Sequence, residues 1–81
     1  MKNMNFTVKV RSGTIEVRIM ARRDNRWDAE YRFIRPLGEP TDWRRAAPPE
    51  GFVGPGIALS AAIMAGRLFA DKLAVDESPT V

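Results

Sequence analysis

Two groups of arginines, one of them beside a tryptophan, are the residues of this chain best suited to bind a ligand. Eleven of the thirteen basic residues precede residue 46. Guanidinium groups pair with phosphates and an indole ring stacks on a base, and these contacts bind single-stranded nucleic acid. The predicted candidate surface for RNA or DNA consists of Arg22, Arg23, Arg26, Trp43, Arg44 and Arg45. An alternative interpretation is structural, with Trp43 folded back as a lid over the core and the arginines as solvated turn residues.

Most side chains that enzymes use for catalysis are missing. The 81 residues include no cysteine and no histidine, which excludes thiol nucleophiles, imidazole bases and ordinary zinc sites. Ser60 lies in a predicted helix without a candidate base to activate it, and Glu16 and Glu30 are expected to pair with arginines. We therefore expect a protein that is not an enzyme and that binds no cofactor and no metal ion.

The composition predicts a single small folded domain over residues 1–81. Hydrophobic residues make up 44% and charged residues 28% of the chain, as in folded proteins rather than disordered ones. Residues 1–6 lack the features of a secretory signal, and the longest apolar stretch, 57–66, is shorter than the ~20 residues that cross a bilayer. We expect a cytoplasmic protein that does not enter the membrane.

The first half of the chain alternates apolar and polar residues with the period of two that β-strands require. Apolar residues recur at every second position from Phe6 to Val10 and from Ile15 to Ile19, and a third segment follows the same pattern. We predict an antiparallel meander of three strands, at about residues 5–11, 14–22 and 26–35.

The turns between these strands fix which residues face each other. Ser12-Gly13 predicts a two-residue first turn. For the second turn, a three-residue loop over 23–25 puts every apolar residue on one face, whereas a two-residue loop does not. Asn25 also tolerates the left-handed conformation that such a loop needs. We therefore predict the three-residue loop.

This register sets opposite charges against each other on the polar face of the sheet, which is the favourable arrangement across strands. The predicted pairs are Lys9 with Glu16, Glu16 with Arg32, and Arg18 with Glu30. These carboxylates are interpreted as partners that set the register.

The second half of the chain predicts one helix after a long connection. Strong helix formers continue over about 55–75, and Pro55 suits the first helical position. The connection 36–54 is rich in proline and glycine and exceeds the ~12 to 15 residues usual for a loop. The tail 76–81 is expected to fray. The predicted fold class is α+β, a β-β-β-α chain with three antiparallel strands and the C-terminal helix packed on their apolar face.

The predicted helix has apolar residues on two sides. On the side toward the sheet, Gly66 is expected to allow close approach of a ring such as Trp27 or Tyr31. The other side carries the apolar stripe, which consists of Ile57, Met64 and Leu68. An exposed stripe favours cover by the connection 36–54, contact with a second copy, or contact with another protein.

The order strand, strand, strand, long loop and helix resembles the small sheet-and-helix domains of bacterial HicB-type antitoxins. The residues that carry the resemblance are Trp27-Asp28-Ala29-Glu30-Tyr31 in the third strand, residues 51–54 before the helix, and Ala58-Leu59 with Ala61-Ala62 at its start. The resemblance covers most of the chain at the level of topology. It implies a curved three-stranded meander packed on a helix that follows a glycine-containing loop.

Taken together, these patterns predict a module that associates with protein. The partner is a second copy, giving a homodimer, or another protein, and the contact is made through the apolar stripe or an exposed edge of the sheet. The alternative function is binding of single-stranded RNA or DNA through the arginine and tryptophan surface.

Overall fold

Four antiparallel strands and one helix form the fold in the computed structural model, which describes residues 3–77. The elements are β1 (Asn3–Val10), β2 (Gly13–Ala21), β3 (Trp27–Ile34), β4 (Arg44–Arg45) and α1 (Pro55–Glu77), and the strands lie in the order β1-β2-β3-β4. The predicted α+β class, with an antiparallel sheet and a C-terminal helix, is confirmed. The prediction of three strands missed β4, which the long connection contributes. Of the tail that was expected to fray, residues 76–77 are helical and 78–81 lie outside the described residues.

The predicted register between β2 and β3 is confirmed. Val17 faces Tyr31 and Ile15 faces Phe33, as the three-residue loop requires. Asn25 in that loop has a φ of 65°, the left-handed conformation that asparagine tolerates. The backbone N–H of Arg22 closes the loop by donating to the carbonyl of Arg26 at 2.8 Å.

The predicted register between β1 and β2 is wrong by two residues. The turn lies at Arg11 and Ser12, so Val10 faces Gly13, and Lys9 faces Thr14 instead of Glu16. Gly13 is the first residue of β2, and a Cβ there would overlap the backbone oxygen of Ile34 and lie 2.7 Å from Cζ of the Phe33 ring, so this position requires glycine. A shift of two residues keeps every side chain on its predicted face, and the apolar face is therefore unchanged.

The long connection covers the outer edge of β3. The N–H of Thr41 donates to the carbonyl of Phe33 at 2.9 Å, and Thr41 Oγ1 accepts from the Phe33 N–H at 3.0 Å. Further along, Trp27 and Phe52 exchange two backbone hydrogen bonds of 2.9 and 2.8 Å. The short β4 lies between these contacts. The segment therefore acts as an irregular fourth strand that satisfies the backbone groups of β3.

The helix packs closely on β2 and β3 through small residues. Ala58, Ala62, Gly66 and Ala70 recur at every fourth position and are all buried. Gly66 makes the closest approach, because a Cβ there would lie 2.6 Å from Cγ2 of Ile15. The neighbour of Gly66 is thus Ile15 rather than the predicted ring. The buried core consists of Ile15, Val17, Ile19, Ala29, Phe33, Ala58, Ala62 and Ala70.

Gly66→Ala is expected to destabilise the protein, although alanine is the better helix former by about 1 kcal/mol. The added methyl meets a buried isoleucine held in the central strand, and overpacking of this kind costs about 1–3 kcal/mol. Gly56→Ala is the matched control, since a Cβ on this helical glycine meets nothing within 4 Å. Urea unfolding should show a loss of stability for Gly66→Ala and a gain for Gly56→Ala. A gain for both variants would contradict the close approach of the helix.

Candidate association interface

The apolar stripe of α1 lies on the solvent side of the helix. Ile57 is 54% exposed, Met64 66% and Leu68 67%. The connection 36–54 does not cover these side chains, because it follows the edge of β3. The interpretation in which the connection buries the stripe is therefore wrong.

Within the part of the chain that the structure describes, no helix is long and apolar enough to span a membrane.

An open groove of about 280 Å³ runs along one flank of the stripe and is lined by Ser60, Ile63, Met64 and Arg67. These residues are spaced at intervals of three and four, so they form neighbouring ridges on one side of the helix. Ile63 continues into the core, and Met64 belongs to the stripe. Helices pack with the ridges of one in the grooves of the other, so a groove between ridges is the feature by which one helix contacts another.

The charged residues beside the stripe are of both signs. Arg67 and Asp71 are exposed one helical turn apart, on the flank that also carries the groove. Lys72 is exposed too, one turn after Leu68, so two basic groups and one acidic group border the stripe. Such a surface is compatible with a second copy of itself, provided that the register keeps like charges apart.

Trp43 lies on the polar face of the sheet, opposite to the face that carries the helix. Its ring contacts two guanidinium groups, Arg18 at 4.1 Å and Arg32 at 4.5 Å from the ring centroid. Arg18 also pairs with Glu30 at 2.5 Å, and Arg32 pairs with Glu16. The cross-strand charge pairs predicted for β2 and β3 are therefore formed, and the indole covers them. Trp43 is a lid, but on the polar face and not over the core.

Two of the candidate arginines hold the connection to the sheet. Arg22 and Arg45 both bond to Oδ1 of Asp28, at 3.3 and 2.9 Å. Arg22 also donates to the carbonyl of Pro49 at 2.8 Å, and Arg45 donates to that of Pro48 at 3.3 Å. These contacts fasten the connection beside the second hairpin.

The same hairpin contains Asp24, whose pKa is lower than the ordinary value of 3.8. Desolvation raises this pKa, but the hydrogen bond from the Arg26 N–H and the charge of Arg22 outweigh it. Since the ionised form is favoured in the folded state, its stabilising effect is present above the unfolded pKa and is lost as the pH falls through the folded pKa. Arg22, through its side chain, and Arg26, through its backbone N–H, thus both donate to the Asp24 carboxylate in this turn.

The six residues of the predicted nucleic-acid surface do not form one surface. Arg44 lies on the helix side of the sheet, where its guanidinium is 4.5 Å from the centroid of the Phe69 ring. Trp43 and Arg45 lie on the opposite side, and Arg23 is exposed at the hairpin tip. Nucleic-acid binding through these residues stays a prediction.

Sequence reasoning missed the two arginines that contact Trp43. Arg18 and Arg32 are diagonal neighbours on β2 and β3, which the predicted register already implied. Their contact with the indole depends on β4, because Trp43 precedes the residues that pair with β3. The two residues of β4 are too few to show an alternating pattern, so the sequence held no signal for this contact.

Comparison of the chain with protein-family models, with curated proteins and with solved structures found no match. The resemblance to HicB-type antitoxins stays a prediction from topology.

Trp43→Ala is expected to lower the free energy of unfolding by about 1–2 kcal/mol, because it removes two cation–π contacts of about 0.5–1 kcal/mol each. Trp43→Phe should retain part of that stability. Arg23→Ala serves as the control at an exposed position of the adjoining hairpin and should leave the stability unchanged. Urea unfolding measures all three. Unchanged stability in Trp43→Ala would contradict the role of Trp43 as a lid.

Proposed function

We propose that this protein is a non-enzymatic association module in which α1 packs against α1 of a second copy. The observation that supports this proposal is the apolar stripe, whose three side chains are each more than half exposed while the connection packs elsewhere. A helix that is apolar on both its sheet side and its outer side is typical of a helix buried on both sides. A partner on the outer side would complete that burial.

The spacing of the stripe fits an antiparallel helix pair. Ile57 and Leu68 are 11 residues apart, and Met64 lies between them. A two-fold axis between the helices therefore sets Ile57 of each copy against Leu68 of the other and places Met64 near the axis. Both copies bury the same surface, as an isologous contact requires.

The charges permit a second copy in this register. When Ile57 faces Leu68, Arg67 comes opposite Ala58 of the other helix, nine residues from the second Arg67. With a rise of 1.5 Å per residue, the two Arg67 side chains are then roughly 14 Å apart along the helices. That distance exceeds the screening length of ~8–10 Å in physiological salt, so repulsion between them is weak.

Met64→Asp is expected to dissociate the helix pair, because it places a charge near the axis of an apolar contact. Val53→Asp is the matched control: Val53 is also 66% exposed and apolar, but it lies outside α1. Sedimentation velocity at low salt, recorded at 260 and 280 nm, should show self-association in the unmodified protein and in Val53→Asp, and a weakened self-association in Met64→Asp. The association should change little with salt.

The same sedimentation run separates the alternative function. Material that absorbs at 260 nm and leaves the protein at high salt would favour nucleic-acid binding, since binding to phosphates weakens steeply with salt. Equal association of Met64→Asp and Val53→Asp would exclude the stripe as the contact surface. A monomer at all concentrations would overturn self-association.

A further inference from the structure

The two edges of the sheet differ in whether their backbone groups are covered. The edge at β3 is covered by the connection through β4 and its neighbouring hydrogen bonds. The edge at β1 has no strand beside it, and within residues 3–77 no backbone hydrogen bond reaches β1 from outside its hairpin. An open row of N–H and C=O groups is a template for pairing with another strand.

The backbone of β1 presents alternate residues to this open edge. Val10 and Gly13 flank the two-residue turn, and a turn of this kind closes on a hydrogen-bonded pair. Since hydrogen-bonded and non-hydrogen-bonded pairs alternate in an antiparallel ladder, the even-numbered residues of β1 bond to β2. The odd-numbered residues therefore point their N–H and C=O groups outward, and these are Asn3, Asn5, Thr7 and Lys9.

β1 has few of the features by which proteins block a sheet edge. Its eight residues contain no proline and no glycine, its pairing with β2 is continuous without a bulge, and its one charged residue is Lys9 near one end. Natural sheets blunt their edges with prolines, bulges, several charges or very short strands. The central part of β1 is thus open to a further strand.

The apolar face of β1 is also incompletely covered. Phe6 is 36% exposed, whereas Val17, which faces it on β2, is fully buried. The reason is that α1 packs on β2 and β3. The apolar surface of the sheet thus extends past the helix to the open edge.

We propose that β1 pairs antiparallel with β1 of a second copy, about a two-fold axis that passes through Thr7. The two sheets of four strands then form one continuous sheet of eight. The axis is perpendicular to the sheet, so both helices lie on the same face. This pairing uses a surface different from the apolar stripe and stands independently of the helix pair.

The side chains favour Thr7 at the axis. In this register Thr7 faces Thr7, Phe6 faces Val8 and Met4 faces Val10 of the other copy, while Asn5 faces Lys9. Aromatic–β-branched and threonine–threonine pairs are among the favourable cross-strand combinations, and this register forms two of the first kind and one of the second. A register with Phe6 at the axis forms a single favourable pair, Phe6 with Phe6. A register with Val8 at the axis pairs Phe6 with Val10 but brings the two Lys9 side chains within two residues of each other, roughly 7 Å along the strand.

The charges agree with the same register. Each Lys9 lies four residues along the strand from the other Lys9, roughly 14 Å at ~3.4 Å per residue, so like charges do not face each other. The surface of β1 therefore fits a second copy in hydrogen bonding and in apolar contact, and its one charged residue does not oppose that pairing.

Single cysteines test the pairing directly, because the chain has no cysteine of its own. In Thr7→Cys the two Cα atoms lie ~5.5 Å apart across a hydrogen-bonded pair, within the ~4.4–6.8 Å of a disulfide. Mild oxidation should therefore give a disulfide-linked dimer. Lys9→Cys is the matched control on the same face of the same strand and should remain monomeric on a non-reducing gel. A mixture of Asn5→Cys and Lys9→Cys proteins should form the mixed disulfide.

Equal disulfide yields for Thr7→Cys and Lys9→Cys would overturn the pairing. A mixture of Thr7→Cys and Asn5→Cys that links more completely than Thr7→Cys alone would overturn the register, because it places Phe6 at the axis. Met64→Asp added to Thr7→Cys separates this contact from the helix pair: a retained disulfide supports edge pairing, whatever sedimentation shows for the helix. Loss of the disulfide in that double variant would overturn an independent edge contact.

Discussion

The close approach of α1 to β2 and β3 is the constraint from which both exposed surfaces follow. Small residues at every fourth position from Ala58 to Ala70 bring the helix onto the sheet, and Gly66 leaves room for Ile15. A helix about 10 Å wide covers about two strands spaced at ~4.8 Å. The strand β1 therefore lies beyond the reach of the helix, which leaves Phe6 partly exposed. The stripe faces outward because the small residues occupy the opposite side of the helix.

The connection 36–54 covers the edge of the sheet at β3. Prolines prevent the segment 40–52 from forming a regular strand, yet its backbone satisfies β3 at Trp27, Ala29 and Phe33. Arg22 and Arg45 fasten it through Asp28, and Trp43 covers the charge pairs of the polar face. Such partly exposed contacts contribute modestly one by one, but together they hold an irregular segment in one position. Of the arginines in the predicted nucleic-acid surface, Arg22 and Arg45 thus have a structural role at this edge.

The two hairpins differ in how far the sequence determines their register. A one-residue slip between β2 and β3 would turn apolar residues to solvent, so the alternating pattern, together with the turn that Asn25 indicates, determined that register. A two-residue slip between β1 and β2 leaves the pattern intact, and the contacts that require glycine at position 13, with Ile34 and the Phe33 ring, are made to residues 20 or more positions away along the chain. The helical period identified the stripe formed by Ile57, Met64 and Leu68. Whether the stripe is exposed depends on the path of the connection 36–54. That path is determined by backbone hydrogen bonds to β3.

The proposed edge pairing and helix pairing use different surfaces of the protein and are compatible with each other in one assembly. A stripe of three residues is small beside the ~20 to 30 residues per side of a standard interface. Edge pairing through β1 places two copies of α1 on one face of a continuous sheet, so that two stripes point the same way and the apolar surface available to a further contact doubles. The edge axis is perpendicular to the sheet, whereas the axis of a helix pair lies parallel to it. When both contacts form, perpendicular two-fold axes that intersect give a closed tetramer, in which each α1 is covered on both sides.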